Sequence, residues 1–563
     1  MGSSYQHNSW TILVSAVVLT IATTATAGDL ATTSLHERID AVIESEFGAA
    51  STAPVGDDAE FLRRISLDLT GTIPNSDRVR TFIGDVAKSK REQMVDDLLA
   101  SPEWPRRMAD LFHVILMERR GNDSDWQVWL GASFTQNKPW NQIVYQILNA
   151  EADDEDNRAA AYFMSKRLDK YGQNPVDYPG LVRDIGRMFL GQDLQCAECH
   201  DHLFIDDYKQ LDFQGLFAVY KNTFVRRDVK FPAVGEKAMT APVEFVSVFD
   251  PTQRKTGPRI PGGTAFSIPE PKPIASPAPK KKPPVPPRPE WSAVELLARE
   301  ITRPENRQFA RTTVNRVWYT LFGRGIVHPV DLDHSGNPPS HPRLLDLLTD
   351  EFIEHDYNLK WLIREIVLSK TWQRSSRLTD NTDSPAADRF AVAIERPLMA
   401  EQLLASVVRA TGNVTLLEEK KNSPESEQPD ADSGLTANLT DHSSLPTLAE
   451  LKTAFSKAFA NDAREPEGEF KATVKGALFW LNSSEIQQLL NRHPGNLVDK
   501  LTQIKQPVSL VDELYLAVLS RFPTPDESSV MVSFLNDASA DRETAIRDAT
   551  WSLLTSVEFY VNH

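Results

Sequence analysis

Along most of the chain the apolar residues recur every three or four positions, the spacing that lines one side of an α-helix. In HPRLLDLLTDEFIEH (341–355), Leu344, Leu345, Leu348 and Phe352 share a face, and Ser340 is the expected N-cap. Asn358 precedes LKWLIREIVLSKTW, where Leu362, Ile363, Ile366 and Val367 repeat the pattern. Ser89-Lys90-Arg91-Glu92 before MVDDLLA reads as a capping box. Thr524-Pro525-Asp526-Glu527 before SSVMVSFL reads as another, with Pro at the first helical position. Alternation of the strand type is sparse. Its best instance is VEFVSVFD (243–250), in which Val and Phe alternate. The pattern predicts a mainly α protein.

Two stretches break the helical pattern. Residues 269–289 hold ten prolines in 21 positions. Proline lacks the amide donor and fixes φ, so this stretch reads as an extended linker. Residues 417–447, rich in Glu, Lys, Ser, Asp and Pro, read as a disordered insertion. The expected organisation is therefore a multi-helix N-terminal domain at 30–250, a Pro-rich linker at 251–290, and a helical C-terminal domain at 291–563 carrying the insertion. No internal repeat of a solenoid period is visible. At 563 residues, two to four domains are the reasonable expectation.

Charge and the N-terminus narrow the setting. A formal net charge of −17 argues against a nucleic-acid partner, which calls for a surplus of Lys and Arg. Residues 11–22, TILVSAVVLTIA, form an apolar run too short to span a bilayer comfortably. Ala25-Thr26-Ala27 follows as a small-x-small cleavage site. Residues 1–27 thus read as a signal peptide, although MGSSYQHNSW carries no Lys or Arg. No later segment is apolar over some 18 residues, which predicts a soluble exported protein, periplasmic, cell-surface or secreted.

The chemistry concentrates in CAECHDH (196–202). The chain has only two cysteines, and they stand three apart with His200 next. On a helix, residues i and i+3 share a face, so two thiols there can add to the two vinyl groups of a haem while His200 meets the iron. Three readings compete: covalent haem c on Cys196, Cys199 and His200; a Cys196–Cys199 disulfide with no cofactor; and a metal site, for instance zinc, using the cysteines with His200 or His202. Candidate sixth ligands for a haem are Met188, His202, His113 and Met117. Core packing is the plainer reading of Met117, a satisfied core histidine of His113, and local hydrogen bonding of His202.

RISLDLTGTIPN (64–75) and MFLGQDLQCAECHDHLFIDDYKQLDFQGLFAVY (188–220) resemble the DUF1549 domain, the planctomycete cytochrome-like domain 2. RIPGGTAF (259–266) resembles the end of that module. FARTTVNRVWYTLFGRGIVHPVDLDHSGNPPSHPRLLDLLTDEF (309–352), LIREIVLSKTWQRSS (362–376), LMAEQLLASVVRATG (398–412) and ELYLAVLSRFPTPDE (513–527) resemble the DUF1553 domain, planctomycete-specific domain 1. The resemblance implies an exported bacterial protein of a planctomycete or a relative, with secreted sulfatase-like or DUF1501 proteins as partners. It singles out Cys196, Cys199, His200, Asp201 and His202. Where relatives continue Pro-Phe-Asp this chain has LFID, which leaves open whether Asp206 or Asp207 is equivalent.

In the C-terminal part, Asp331, Asp333, His334, Asn337 and His341 could bind metal or act as acid and base. A structural reading covers them as well. Gly323 and Gly325 suit a helix C-cap and turn, Asn337 to Ser340 a turn into an N-cap, and Asn315, Arg316 and Arg324 ties between helices. No nucleophile triad, phosphate loop or dinucleotide fingerprint is present in the sequence. The leading expectation is a c-type cytochrome-like electron-transfer protein. The alternatives are a structural or interaction protein, and a metal-dependent hydrolase using His200, Asp201 and His202.

Overall fold

In the computed structural model, which describes residues 33–47, 52–270, 288–378, 385–421, 445–465, 474–537 and 541–563, several helices begin where the sequence supplies a side-chain acceptor. Asn358 Oδ1 accepts from the Trp361 amide (3.0 Å) and starts Leu359–Leu368. Thr524 and Glu527 form the expected capping box: the Glu527 amide donates to Thr524 Oγ1 (3.3 Å) and the Thr524 amide to Glu527 (2.7 Å). Leu344, Leu345, Leu348 and Phe352 are all fully buried on Pro342–Glu354. Of the described residues 57 % are helical and 5 % are in strands, so the chain is mainly α.

Three local expectations are corrected. Ser89 makes no side-chain cap to Lys90–Ala100, because its own ψ of 4° keeps it in a turn from which Oγ cannot reach back. Ser340 is not the N-cap of its helix; His341 is, and Ser340 instead bonds the Ile326 carbonyl through its amide (2.8 Å) and Oγ (3.1 Å). The strand expected over 243–250 is confined to Val243–Phe245, paired antiparallel with Arg254–Thr256. Its second half leaves the ladder for another task, described below.

One hydrophobic core runs from Leu35–Phe47, Asp58–Thr70, Glu103–Met117 and Tyr178–Leu190 straight on into Ala293–Thr302, Arg307–Phe322, Pro342–Glu354 and Leu359–Leu368. A second core gathers residues between Leu398 and Phe559 and takes Leu67 and Ile73 from the early RISLDLTGTIPN stretch. The regions expected as domains at 30–250 and 291–563 therefore share packing on both sides of the linker. A fully buried Leu, Ile or Phe contributes roughly 1.5–3 kcal/mol, so a core shared at this scale couples the two regions.

The expected signal peptide lies outside the described residues, as do 271–287 of the linker and 422–444 of the insertion. The insertion is narrower than 417–447 at both ends. Val414–Lys421 is helical with Leu417 buried, and Thr447 forms a capping box with Glu450 at the start of Leu448–Phe459. Among the described residues no helix is long and apolar enough to cross a membrane.

Candidate functional site

The Tyr178–Leu190 helix delivers the chain to CAECHDH. Arg187 pins it by ion pairs to Glu118, Asp184 (3.2 Å) and Asp331 (3.2 Å), the last from the C-terminal region. Burial disfavours the Arg187 charge, but Glu118, Asp331 and Asp184 outweigh this and hold its pKa above the ordinary value. Gly191 ends the helix at a φ of 64°, and a Cβ there would stand 2.9 Å from Thr312 Oγ1. The Gly191 carbonyl accepts from the Asp333 amide (2.9 Å), so the bend is tied to the C-terminal region from its first residue.

The motif sits on a single 3₁₀ turn, Cys196–Glu198, with Cys199 as its C-cap. A 3₁₀ turn has three residues per revolution, which eclipses i and i+3 more closely than an α-helix does. The Cys199 amide donates to the Cys196 carbonyl (3.4 Å), so the turn closes across the two cysteines. Both thiols are free and exposed, while Ala197 between them is fully buried and anchors the turn.

The two histidines are bonded in opposite senses. His200 Nδ1 lies 2.7 Å from the Asp201 carbonyl oxygen. A carbonyl can only accept, so Nδ1 carries the proton and Nε2 keeps its lone pair. His202 Nδ1 accepts from the amides of Phe204 (3.2 Å) and Ile205 (3.0 Å), which places its proton on Nε2. His202 is thus a cap inside its own loop, and of the two expected metal ligands only His200 presents an unshared nitrogen. Asp201 Oδ1 accepts from the Gln210 amide (2.8 Å) at the start of Gln210–Tyr220, and Oδ2 lies 3.6 Å from Arg254. Among the described residues no group of three His, Cys, Asp or Glu side chains is placed to hold a metal ion.

The end of the expected strand reappears here. The Val248 amide donates to the Cys199 carbonyl (3.1 Å), and the Phe249 ring lies 4.7 Å from that of His200. Gln210 donates to the Val246 carbonyl (3.1 Å) and accepts from Arg254 (2.6 Å), bracing the loop from below. Five exposed apolar side chains belong to the two segments joined to the motif: Leu203 and Phe204 (90 % exposed) directly after it, and Val246, Val248 and Phe249 in the segment that bonds Cys199. The sequence alone does not bring Val246, Val248 and Phe249 to the motif. The signal is the run Val246-Ser247-Val248-Phe249, which continues past a three-residue strand with nothing to bury it.

The DLDHSGN stretch of the C-terminal region closes the other side. The Ser335 amide donates to Asp207, and the His334 ring meets the Tyr208 ring edge-on at 5.3 Å. Tyr208 in turn lies 6.0 Å from His202. Hydrogen bonding to Ser335 holds the Asp207 carboxyl below its ordinary range. Asp206 is fully exposed, 3.5 Å from Lys209, so Asp207 is the acid built into the loop. Asp333 is held by Arg311 (2.7 Å) and Gln308 (3.0 Å), Arg316 pairs with Asp331, and Asn315 bonds both the amide and the carbonyl of Val327 (2.9 Å each). These residues brace the loop, and His341 is buried against Glu46 (3.3 Å).

The other candidate iron ligands are engaged elsewhere. His113 Nδ1 accepts from Trp126 Nε1 (3.1 Å), and burial pushes its pKa down to about 4. Met117 is fully buried in the core. Met188 lines an interior cavity of about 30 Å³ with Met108, Thr313 and Arg316, and its sulfur lies 3.6 Å from Arg167 Nη2.

Two family models match the chain. One, PSCyt2, described as a protein of unknown function (DUF1549), covers residues 38–224; the other, PSD1, described as a protein of unknown function (DUF1553), covers 295–535. No match was found among curated proteins or among solved structures. The CxxCH turn lies inside the first matched stretch, DLDHSGN inside the second, and the Val243–Thr256 hairpin between them. The chain belongs to the proteins that carry a DUF1549 domain followed by a DUF1553 domain.

Proposed function

We propose that this is an exported c-type cytochrome-like protein, with haem held by thioethers to Cys196 and Cys199 and by His200 at the iron. The observation that carries the reading is the bonding of His200: with Nδ1–H given to the Asp201 carbonyl, Nε2 keeps its lone pair in the residue that follows two free, exposed thiols. The donor set therefore fits the group. Each thiol would add S–H across a vinyl C=C, with no leaving group and no oxidant. The bound haem would supply one-electron redox chemistry. The chain's own part is positional. Asp201 fixes the ring of His200, the 3₁₀ turn sets the spacing of the sulfurs, and the loops at 207–208 and 333–335 hold the turn in place.

Export is supported by the 11–22 apolar run and the Ala25-Thr26-Ala27 site. The electron-transfer partner would be another exported protein, the sulfatase-like or DUF1501 class being the one the family resemblance suggests. The contacts favour haem over the two alternatives. The hydrolase reading needs Asp201 and His202 free, and both are bonded within their own loop. The disulfide reading gives His200 no task. The test is intact-mass and peptide analysis of protein made in a host with haem-maturation machinery. A haem adduct on the peptide containing 196–199, absent from Cys196→Ala, Cys199→Ala protein, supports the reading; an unmodified, fully processed peptide overturns it.

A further inference from the structure

Large apolar side chains gathered in water mark a surface that meets something else, and five of them stand exposed on the two segments joined to the CxxCH turn. We propose that Leu203, Phe204, Val246, Val248 and Phe249 form the face against which the planar, apolar ring of the covalently held haem lies. This inference rests on the proposed haem attachment and adds to it the surface that shields the ring from water.

Three observations tie these apolar side chains to the residues that would hold the haem. The patch is fixed relative to the motif by backbone, since the Val248 amide donates to the Cys199 carbonyl (3.1 Å) and the Val246 carbonyl accepts from Gln210 (3.1 Å). It is built from two separate segments, 203–204 directly after the motif and 246–249 brought back to it from beyond the Gln210–Tyr220 helix. The Phe249 ring also touches the His200 ring at 4.7 Å, so the ligating histidine is itself part of the apolar face. Polar atoms of the loop are turned to other partners: Asp201 to Gln210 and Arg254, and His202 Nδ1 to its own backbone. The thiols and His200 Nε2 are the groups left to receive a ligand.

The experiment compares loaded full-length protein with an unloaded Cys196→Ala, Cys199→Ala form, using an environment-sensitive apolar dye, sedimentation and a redox titration. The unloaded form is expected to bind the dye severalfold more strongly than the loaded one. A Phe204→Ser, Val248→Ser, Phe249→Ser variant alters only exposed side chains. It should still carry haem, should bind the dye weakly whether loaded or not, and should have a lower reduction potential, because water reaching the ring stabilises the more highly charged ferric state. Haem attached with dye binding and potential unchanged by the triple substitution overturns this inference and leaves the haem assignment standing. Dye binding that falls as an unloaded dimer forms also overturns it, by making the patch a self-association face. Absence of haem from every form overturns both.

Discussion

Asp68 grips Arg396 in a two-pronged ion pair, with both carboxylate oxygens accepting from Nη2 at 3.0 and 2.8 Å. Asp68 belongs to the RISLDLTGTIPN stretch, 328 residues away from its partner in sequence. Asn562 adds a third bond to Asp68 (2.8 Å), and Arg396 also donates to the Thr320 carbonyl and packs over Gly323, whose φ of 77° a side chain would strain. The neighbouring Arg64 donates to the carbonyls of Trp372 and Arg374 (2.7 Å each) and of His563 (2.8 Å). The early stretch that resembles DUF1549 is thus a cross-brace to the later one that resembles DUF1553.

Removing one member of a buried pair leaves the other charge uncompensated, which costs about 3–5 kcal/mol. Asp68→Asn is accordingly expected to lower stability by about 3 kcal/mol, read from urea unfolding, because Arg396 loses its counter-charge while little volume changes. A loss under about 1 kcal/mol would show that the brace is not a principal tie between the two regions.

His113 gives a pH dependence with a definite sign. Its folded pKa, pushed down to about 4 by burial, lies below the ordinary 6.5. Between those values the unfolded chain binds more protons, so the contribution of neutral His113 is complete above pH 6.5 and fades as pH falls toward 4. The shift corresponds to at most about 3 kcal/mol at about 1.4 kcal/mol per pKa unit. His113→Asn, which keeps an acceptor for Trp126, should lose less stability than the wild type between pH 7 and pH 4.5. Parallel stability curves for the two proteins would contradict this.

The loop clamp can be read without any cofactor. Asp207→Ala removes the acceptor for the Ser335 amide, a contact on the order of 1 kcal/mol. Amides of 199–210 should then exchange with solvent roughly fivefold faster, while amides of the Leu359–Leu368 helix keep their rate. Uniform acceleration across both segments would mean that Asp207 supports the fold as a whole rather than this loop.

What the sequence shows plainly is what local chemistry decides. The caps at Asn358 and Thr524 and the buried face of Pro342–Glu354 depend on residues three or four apart, and all are present in the structure. Ser89 and Ser340 have equally suitable side chains and do not cap, because the turn entering each helix sets their conformation and the turn answers to tertiary contacts. The Cys-x-x-Cys-His signal is legible for the same local reason. Its surroundings are not: Asp207 meets Ser335 across 128 residues, and Val248 reaches Cys199 across a hairpin that periodicity assigns wholly to a strand. In sequence, local hydrogen bonding is the plainer reading of His202, and the structure supplies the partners: its Nδ1 accepts from Phe204 and Ile205, whereas His200 Nδ1 gives its proton to the Asp201 carbonyl.

The most direct measurement is the pyridine haemochrome spectrum of purified protein exported, behind an added export signal, in a host with a haem-maturation system, beside a Cys196→Ala, Cys199→Ala form and a His200→Ala form. The account predicts a c-type band in the wild type, its loss in the double cysteine variant, and in His200→Ala a retained covalent haem with an altered ferric spectrum. A correctly processed wild-type protein with no haem band would contradict it.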